Sequence, residues 1–134
     1  MPNVSVIVTF HNEISSTLFR CIYSIYNRSP KQLLHEIILV NDKSTFPELY
    51  ENLRKYVTEV FGSKIKLIEN EERQGLIKAR MTGAKAATGE VIIFLDSHME
   101  VYNSWLPPLL GKFVIRWEFT RKSLTWNLCL QILL

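Results

Sequence analysis

The sequence has few cysteines and no long apolar run. Two cysteines, Cys21 and Cys129, are too few for a disulfide framework, and neither has the close partner that a structural zinc site requires. The Leu-rich end, 124–134, is well short of the roughly 20 apolar residues that a membrane span needs. The apolar run after Met1 is preceded by no basic residue and followed by polar ones. The sequence therefore predicts neither a signal peptide nor a membrane anchor.

An excess of charge of one sign is also missing over most of the chain. Basic and acidic residues balance over 1–111, and the net charge of +3 at pH 7 comes from the residues that follow. Domains that bind nucleic acid typically carry a basic stripe or patch. We therefore expect no nucleic-acid partner. With 47% hydrophobic residues in 134, the chain does have enough apolar side chains for the core of one domain.

Short β-branched, apolar segments recur along the chain and predict buried strands. They are Val4 to Phe10, Glu36 to Val40, Ile65 to Ile68 and Val91 to Leu95. Helical patterns separate them, and strands that alternate with helices at these lengths indicate right-handed crossovers. The predicted fold class is therefore α/β: a Rossmann-like, mostly parallel sheet with helices on both faces.

Two helices are predicted from apolar residues at three-and-four spacing, and a third from a stretch of small residues. The first runs from Ser16 to Asn27, with Ser15 or Ser16 as its N-cap. The other two have clear ends as well: Pro47 is a favoured first helical residue and Gly62 a terminator, while the third helix covers Leu76 to Ala87 and is capped by Gly89.

The end of the chain follows a different pattern. A short helix is expected from Trp105 to Leu110, whereas Lys112 to Leu134 shows no clean period. We therefore divide the chain into a domain over 1–111 and a divergent tail of uncertain structure over 112–134.

Polar side chains gather where the predicted strands end. In a parallel α/β sheet, ligands bind beyond the carboxyl ends of the strands, because loops and helix N-termini converge there. The residues at these ends are Thr9 to Glu13 after the first strand, Asn41 and Asp42 after the second, Arg73 after the third, and Asp96 and His98 after the fourth.

Asp96 and His98 are the candidate metal ligands. In an extended chain, side chains two residues apart point to the same face, with Ser97 on the other. A carboxylate and an imidazole suit a divalent cation such as Mn²⁺ and leave positions for substrate oxygens. Such a cation neutralises a departing diphosphate, and Arg73 and Arg80 are placed to add positive charge. The alternative is a chance Asp-x-His with two solvated arginines.

Five stretches carry a more specific pattern, in this order: VSVIVTFHNE, STLFRCIYSIYNRSP, EIILVND, RQGLIKAR, and GEVIIFLDSHMEV with NSWLPPLL. With these stretches the chain resembles the nucleotide-sugar-binding half of the polypeptide N-acetylgalactosaminyltransferases, which start mucin-type O-glycosylation. The resemblance covers roughly Pro2 to Leu110. FHNE, RxGLxxxR and DSH together are far more restrictive than a generic Asp-x-Asp motif.

The resemblance implies a GT-A fold that binds UDP and a retaining transfer of N-acetylgalactosamine (GalNAc) from UDP-GalNAc to Ser or Thr of a polypeptide. It implies that Asp96 and His98 bind Mn²⁺ and that the protein works in the Golgi apparatus. It assigns no catalytic residue. The residues it places at the donor are Thr9 and Asp42 at the uridine, Arg73 and Arg80 as basic groups, and Ser97 as a further contact.

The chain departs from the family pattern at several points. Relatives usually carry Asp-Asp where Asn41 and Asp42 stand, and commonly Cys where Met99 stands. After Leu110 the similarity stops. The family's third metal ligand, a later histidine, its acceptor-binding half and its lectin domain have no counterpart in the remaining sequence. We therefore expect the chain to be catalytically incomplete, which leaves its being an enzyme open.

Two other functions remain open from the sequence. One is a non-catalytic UDP-binding or regulatory fragment, which includes pairing with a full-length relative. The other is a different GT-A nucleotide-sugar transferase that acts on a polysaccharide or lipid. The combination of FHNE with DSH argues against the second.

Overall fold

The computed structural model describes residues 1–112 and the backbone of residues 129–131. Its centre is a five-stranded parallel sheet of order β3-β2-β1-β4-β5. The strands are β1 (Val4–Phe10), β2 (Leu34–Asn41), β3 (Ile65–Glu69), β4 (Val91–Asp96) and β5 (Cys129–Gln131). The helices are α1 (Ser15–Arg28), α2 (Glu51–Phe61) and α3 (Leu76–Ala86), and a further helical segment begins at residue 106.

Both faces of the sheet are covered, so the predicted α/β architecture is confirmed. Every residue of β1 is buried, as expected for a central parallel strand. Alternate residues of β1 join two different clusters. Val6 and Val8 pack in the larger cluster with α1 and α2, and Ile7 packs in the smaller one with α3.

The small residues of α3 let this helix approach the sheet closely. Ala79 is buried, and a Cβ built on Gly83 would come within 2.5 Å of Ile7 Cγ2. A larger side chain at Gly83 would push the helix away from β1. The close approach also brings Arg80, near the start of α3, to the end of β4.

Two predicted caps are wrong. The N-cap position of α1 is held by Ile14, without a side-chain hydrogen bond, and both Ser15 and Ser16 lie inside the helix. Ala87, not Gly89, is the C-cap of α3. Gly89 instead donates its amide to Ser5 Oγ, and its missing Cβ is needed for a close approach to β1.

The second helix starts later than predicted. Pro47 begins a short 3-10 turn, Pro47–Leu49, and α2 follows from Glu51. Gly62 ends α2 with a φ of 59°, which confirms the predicted terminator. Positive φ favours glycine because it has no Cβ.

The tail is only partly described. The backbone of β5 pairs in parallel with β4, with Ile92 opposite Cys129. No periodicity in the sequence indicated this strand, and the other residues of 113–134 lie outside the described part. The proposed boundary at 111 stays a prediction. Among the described residues, no helix combines the length and the apolarity needed to cross a membrane.

Candidate functional site

Three candidate residues come together at the carboxyl edge of the sheet. Thr9 is the register partner of Asp96 on β4 and of Val40 on β2. Asp42 follows directly after β2, and its amide donates to the carbonyl of Phe10. The parallel ladder therefore brings Thr9, Asp42 and Asp96 to one edge, where the sequence placed a ligand.

Asp42 is held by the loop that leads from β3 to α3. Its carboxylate accepts hydrogen bonds from the Gln74 amide at 2.8 Å, the Gly75 amide at 2.9 Å and Asn70 Nδ2 at 3.0 Å. Burial raises the pKa of the Asp42 carboxyl, but these hydrogen bonds and the charge of Arg73 outweigh burial and lower the pKa below its usual value. Asp42 therefore anchors the 70–75 loop, and its contact with uridine stays a prediction.

This anchoring places Arg73 at the site. Arg73 is exposed in the anchored loop, close enough for its charge to act on Asp42. The loop reaches α3 through Gly75, whose φ of 85° is a conformation that other residues rarely adopt. The position of Arg73 near Asp42 thus depends on the anchored loop and on Gly75, and its place on the donor side stays a prediction.

Arg80 pairs with the candidate metal ligand Asp96. Arg80 Nη2 lies 3.3 Å from Asp96 Oδ1, and the guanidinium carbon lies 5.8 Å from the ring centroid of Phe94. The Asp96 side chain is 45% exposed, whereas that of Arg80 is 17% exposed. The sequence predicted both residues at one site, and the structure brings them into direct contact.

A turn follows Asp96, which corrects the argument for His98. β4 ends at Asp96, and the Met99 amide donates to the Asp96 carbonyl at 3.2 Å. Ser97 and His98 therefore lie in a turn, where the alternation of an extended strand does not apply. The premise of an extended chain from Asp96 to His98 is wrong, because the strand ends at Asp96 and His98 lies within the turn.

The donor set at this turn nevertheless fits a Mn²⁺ ion. The half-exposed carboxylate of Asp96 and the exposed imidazole of His98 are separated by one residue, and Mn²⁺ accepts both types of ligand. Within residues 1–112, no group of three His, Cys, Asp or Glu side chains is placed to hold a metal. The described part of the chain thus offers two donors, and their role as ligands stays a prediction.

Ser97 makes a contact that the sequence did not reveal. It is buried, and its hydroxyl donates to Glu13 Oε2 at 2.6 Å. The predicted contact between Ser97 and the sugar donor is untested, but the hydroxyl proton is directed to Glu13. The only hint in the sequence is that Glu13 ends one motif, FHNE, while Ser97 lies in another, DSH.

The loops after β1 and β2 are joined by side-chain hydrogen bonds. Asn12, with a φ of 51°, accepts from the Thr45 amide at 2.6 Å, and its own amide donates to Ser44 Oγ at 3.0 Å. His11 Nδ1 lies 2.9 Å from the Asp42 carbonyl oxygen. His11 and Asn12 of the FHNE motif therefore hold together the two loops that form the rim of the site, those after β1 and β2.

Asn41 shows why the departure from Asp-Asp is tolerated. Its side chain is fully buried, donates to the Leu49 carbonyl at 3.0 Å and accepts from the Ser44 amide at 3.0 Å. A carboxylate accepts hydrogen bonds but donates none when ionised. In this chain the amide of Asn41 satisfies both partners, so Asn41 is a structural residue beneath the rim.

Comparisons with known proteins identify the family of the chain. Residues 5–115 match glycosyl transferase family 2. The chain is 53% identical over 111 residues to N-acetylgalactosaminyltransferase 7 of Drosophila melanogaster, which covers 83% of the chain and 19% of that protein. It is 49% identical over 110 residues to inactive polypeptide N-acetylgalactosaminyltransferase-like protein 5 of Mus musculus, with 82% and 25% covered.

A solved structure extends the likeness to the fold. The crystal structure of GalNAc-T7 with UDP, GalNAc and Mn²⁺ matches with a TM-score of 0.82 and 40% identity, over 84% of this chain and 21% of that one. The chain therefore spans about a fifth to a quarter of the length of these relatives. Because the family match covers most of the chain and the parallel sheet agrees with this structure, the protein belongs to glycosyl transferase family 2, has the GT-A fold, and is related to the polypeptide N-acetylgalactosaminyltransferases.

Proposed function

We propose that the domain over 1–111 binds UDP-GalNAc together with Mn²⁺, as the donor-binding part of a polypeptide N-acetylgalactosaminyltransferase. The observation that carries this proposal is the meeting of Thr9, Asp42 and Asp96 at one edge of the sheet, with Arg80 in contact with Asp96. The likeness to GalNAc-T7, which was crystallised with UDP, GalNAc and Mn²⁺, supports the choice of ligand.

Each residue has a defined task in this proposal. Asp96 and His98 hold the Mn²⁺ ion, which when bound neutralises charge on the diphosphate of the donor. Arg73 and Arg80 add positive charge beside the phosphates, because a guanidinium group can form bidentate hydrogen bonds with phosphate oxygens. The remaining donor contacts are Thr9 and Asp42 at the uridine and Ser97 near the metal.

The proposed acceptor is a Ser or Thr hydroxyl of a polypeptide, as the names of the relatives indicate. Since the chain spans only part of their length, transfer of the sugar is tested separately from binding of the donor. We also propose the Golgi lumen as the site of action, which immunofluorescence of the endogenous protein against a Golgi marker tests.

Calorimetric titration with UDP, with and without Mn²⁺, tests donor binding. We expect Mn²⁺ to tighten UDP binding at least tenfold, because the cation links the diphosphate to the protein. His98→Ala should remove most of this gain. His35→Ala is the matched control, since His35 is an exposed histidine next to the opposite edge of the sheet. Equal affinity with and without Mn²⁺ in the unmodified chain contradicts the proposal.

A second candidate is a binding module without transferase activity. It is favoured by the mouse relative, whose name describes it as inactive and which is 49% identical over the same region. An assay for GalNAc transfer to a Ser/Thr peptide separates the two functions. Mn²⁺-dependent UDP binding without transfer, alone or mixed with a full-length relative, supports the module. Transfer by the chain supports the enzyme.

A further inference from the structure

The segment after β4 is fastened to α1 and the residues beside it. Its turn, Asp96–Met99, carries both proposed metal ligands, and the chain then continues along α1. The contacts are the Ser97 hydroxyl with Glu13, Cys21 Sγ with the Asp96 carbonyl, the Val101 amide with Ser24 Oγ, the Val101 carbonyl and the Glu100 carboxylate with Arg28, and Trp105 with Ser29 Oγ.

The turn itself is reached by Ser97 with Glu13 and by Cys21, whose thiol lies at the Asp96 carbonyl and the Met99 backbone. Cys21 Sγ lies 3.6 Å from the Asp96 carbonyl oxygen, and a thiol is a weak donor. The hydrogen bond from Ser97 to Glu13 is 2.6 Å long and has an ionisable acceptor, which makes it the stronger contact. The bonds to Val101 lie beyond the turn, so they leave its tip free to rotate.

Glu13 is itself fixed in place. It directly precedes Ile14 at the start of α1, and its Oε1 accepts from the Ile14 amide at 3.1 Å while Oε2 accepts from Ser97. Both carboxylate oxygens are engaged, and the acceptor faces a serine that is only 6% exposed. A residue next to the start of α1 thus holds the buried serine at the centre of the turn.

We propose that Glu13 is a positioning residue for the metal site: by accepting the Ser97 hydroxyl proton, it sets the orientation of the Asp96–Met99 turn and hence of Asp96 and His98. This inference rests on the proposed function. Ser97 separates the two ligands, so a rotation at Ser97 moves one relative to the other. Loss of a residue that orients metal ligands typically lowers metal affinity by 10- to 100-fold.

Mn²⁺ affinity in the presence of UDP, measured by electron paramagnetic resonance, tests the proposal. Glu13→Ala and Ser97→Ala should each weaken Mn²⁺ binding about tenfold, and the double variant should be no weaker than either alone. Glu13→Gln should restore most of the affinity, since its amide oxygen still accepts from Ser97. Glu59→Ala, an exposed glutamate on α2, is the matched control.

UDP affinity without Mn²⁺ should be unchanged in Glu13→Ala, Glu13→Gln and Glu59→Ala, because neither Glu13 nor Glu59 is among the proposed donor contacts. Mn²⁺ binding within twofold of the unmodified chain in Glu13→Ala overturns the proposal. Additive losses in the double variant also overturn it, since the two residues then act independently.

Amide hydrogen exchange separates failure of this proposal from failure of the proposed function. The Met99 amide closes the turn, and the Val8 amide lies in the core. In Glu13→Ala we expect Met99 to exchange about tenfold faster and Val8 at an unchanged rate. If the unmodified chain binds no Mn²⁺, the proposed function fails, and this exchange still decides whether Glu13 holds the turn. Unchanged exchange at Met99 overturns the positioning role.

Discussion

A carboxylate lies at each edge of the sheet, one where the strands begin and one where they end, and the two carboxylates differ in burial and in pairing. At the amino edge, Glu36 is 3% exposed and accepts from Ser5 and from Thr88 through one oxygen, while the other pairs with Lys66 at 2.6 Å. At the carboxyl edge, Asp96 is half-exposed, and its ion pair with Arg80 is 3.3 Å long. Both carboxylate oxygens of Glu36 therefore have partners within the fold, whereas the carboxylate of Asp96 remains accessible to a ligand.

The contrast shows how to separate structural from functional carboxylates in this protein. A buried carboxylate must be fully paired, because an unpaired charge in the interior costs several kcal/mol. Asp42 lies at the functional edge but resembles Glu36, since both of its oxygens are hydrogen-bonded. Asp42 therefore places the 70–75 loop in addition to its proposed contact with the uridine.

Glu36 gives the largest expected effect on stability. Burial raises the pKa of the Glu36 carboxyl, but bonds from Lys66, Ser5 and Thr88 outweigh burial and lower the pKa from 4.5 to about 2. Its stabilisation is therefore fully present above about pH 4.5 and is lost as the pH falls to about 2. At roughly 1.4 kcal/mol per pKa unit, the loss is about 3 kcal/mol.

Urea unfolding at several pH values between 5 and 2 measures this loss. In Glu36→Gln the unfolding free energy should fall less steeply with decreasing pH, because the titrating group is gone. The same pH dependence in the variant and the unmodified chain would show that other groups cause it.

Gly89 tests how tightly the amino edge of the sheet, where Glu36 lies, is packed. A Cβ at this position would lie 2.6 Å from Ser5 Oγ and 2.7 Å from the Ser5 amide nitrogen. We therefore expect Gly89→Ala to lower the unfolding free energy by about 2 kcal/mol. Gly111→Ala is the matched control, since no atom of the described residues lies within 4 Å of its Cβ position, and it should change stability by less than about 0.5 kcal/mol. Equal effects of both substitutions would contradict tight packing at the amino edge of the sheet.

Asp42 tests whether the carboxyl edge has a structural anchor of its own. Asp42→Asn replaces one acceptor oxygen by a donor that faces backbone amides, which should cost about 1 kcal/mol. The loop should then open more often, and trypsin should cleave after Arg73 about five times faster. Asn70→Ala removes one of the three bonds and should have a smaller effect. An unchanged cleavage rate would show that the loop does not depend on Asp42.

Asp96 has the smallest expected effect on stability. Its pair with Arg80 is partly solvated, so Asp96→Ala should change the unfolding free energy by no more than about 0.5 kcal/mol. The same substitution should abolish the gain in UDP affinity from Mn²⁺. A large loss of stability would place Asp96 with Glu36 among the structural carboxylates and break the comparison.

The strands were readily predicted because their signal is local. All four predicted strands exist, and β4 extends by one residue to Asp96, where a polar side chain still fits the ladder. The caps were less predictable. Gly89 appeared to end α3, but its role depends on Ser5, which lies 84 positions away in the sequence.

The sequence predicted which residues meet at the candidate site but not the contacts that they make. Thr9, Asp42, Arg80 and Asp96 meet at the expected edge. The turn after Asp96 and the bond between Glu13 and Ser97 were missed, since both depend on how α1 packs beside β4. Cys21 is buried, and burial raises the pKa of its thiol to about 12.

The sequence by itself determined the order of strands and helices, the parallel sheet and the edge at which polar residues collect. Periodicity and strand-end chemistry are local properties, and a specific set of motifs identified the family. Only the tertiary structure decided which carboxylates are hydrogen-bonded through both oxygens and which remain accessible to a ligand. That distinction depends on distances between residues far apart in the chain, which packing sets and local sequence does not encode.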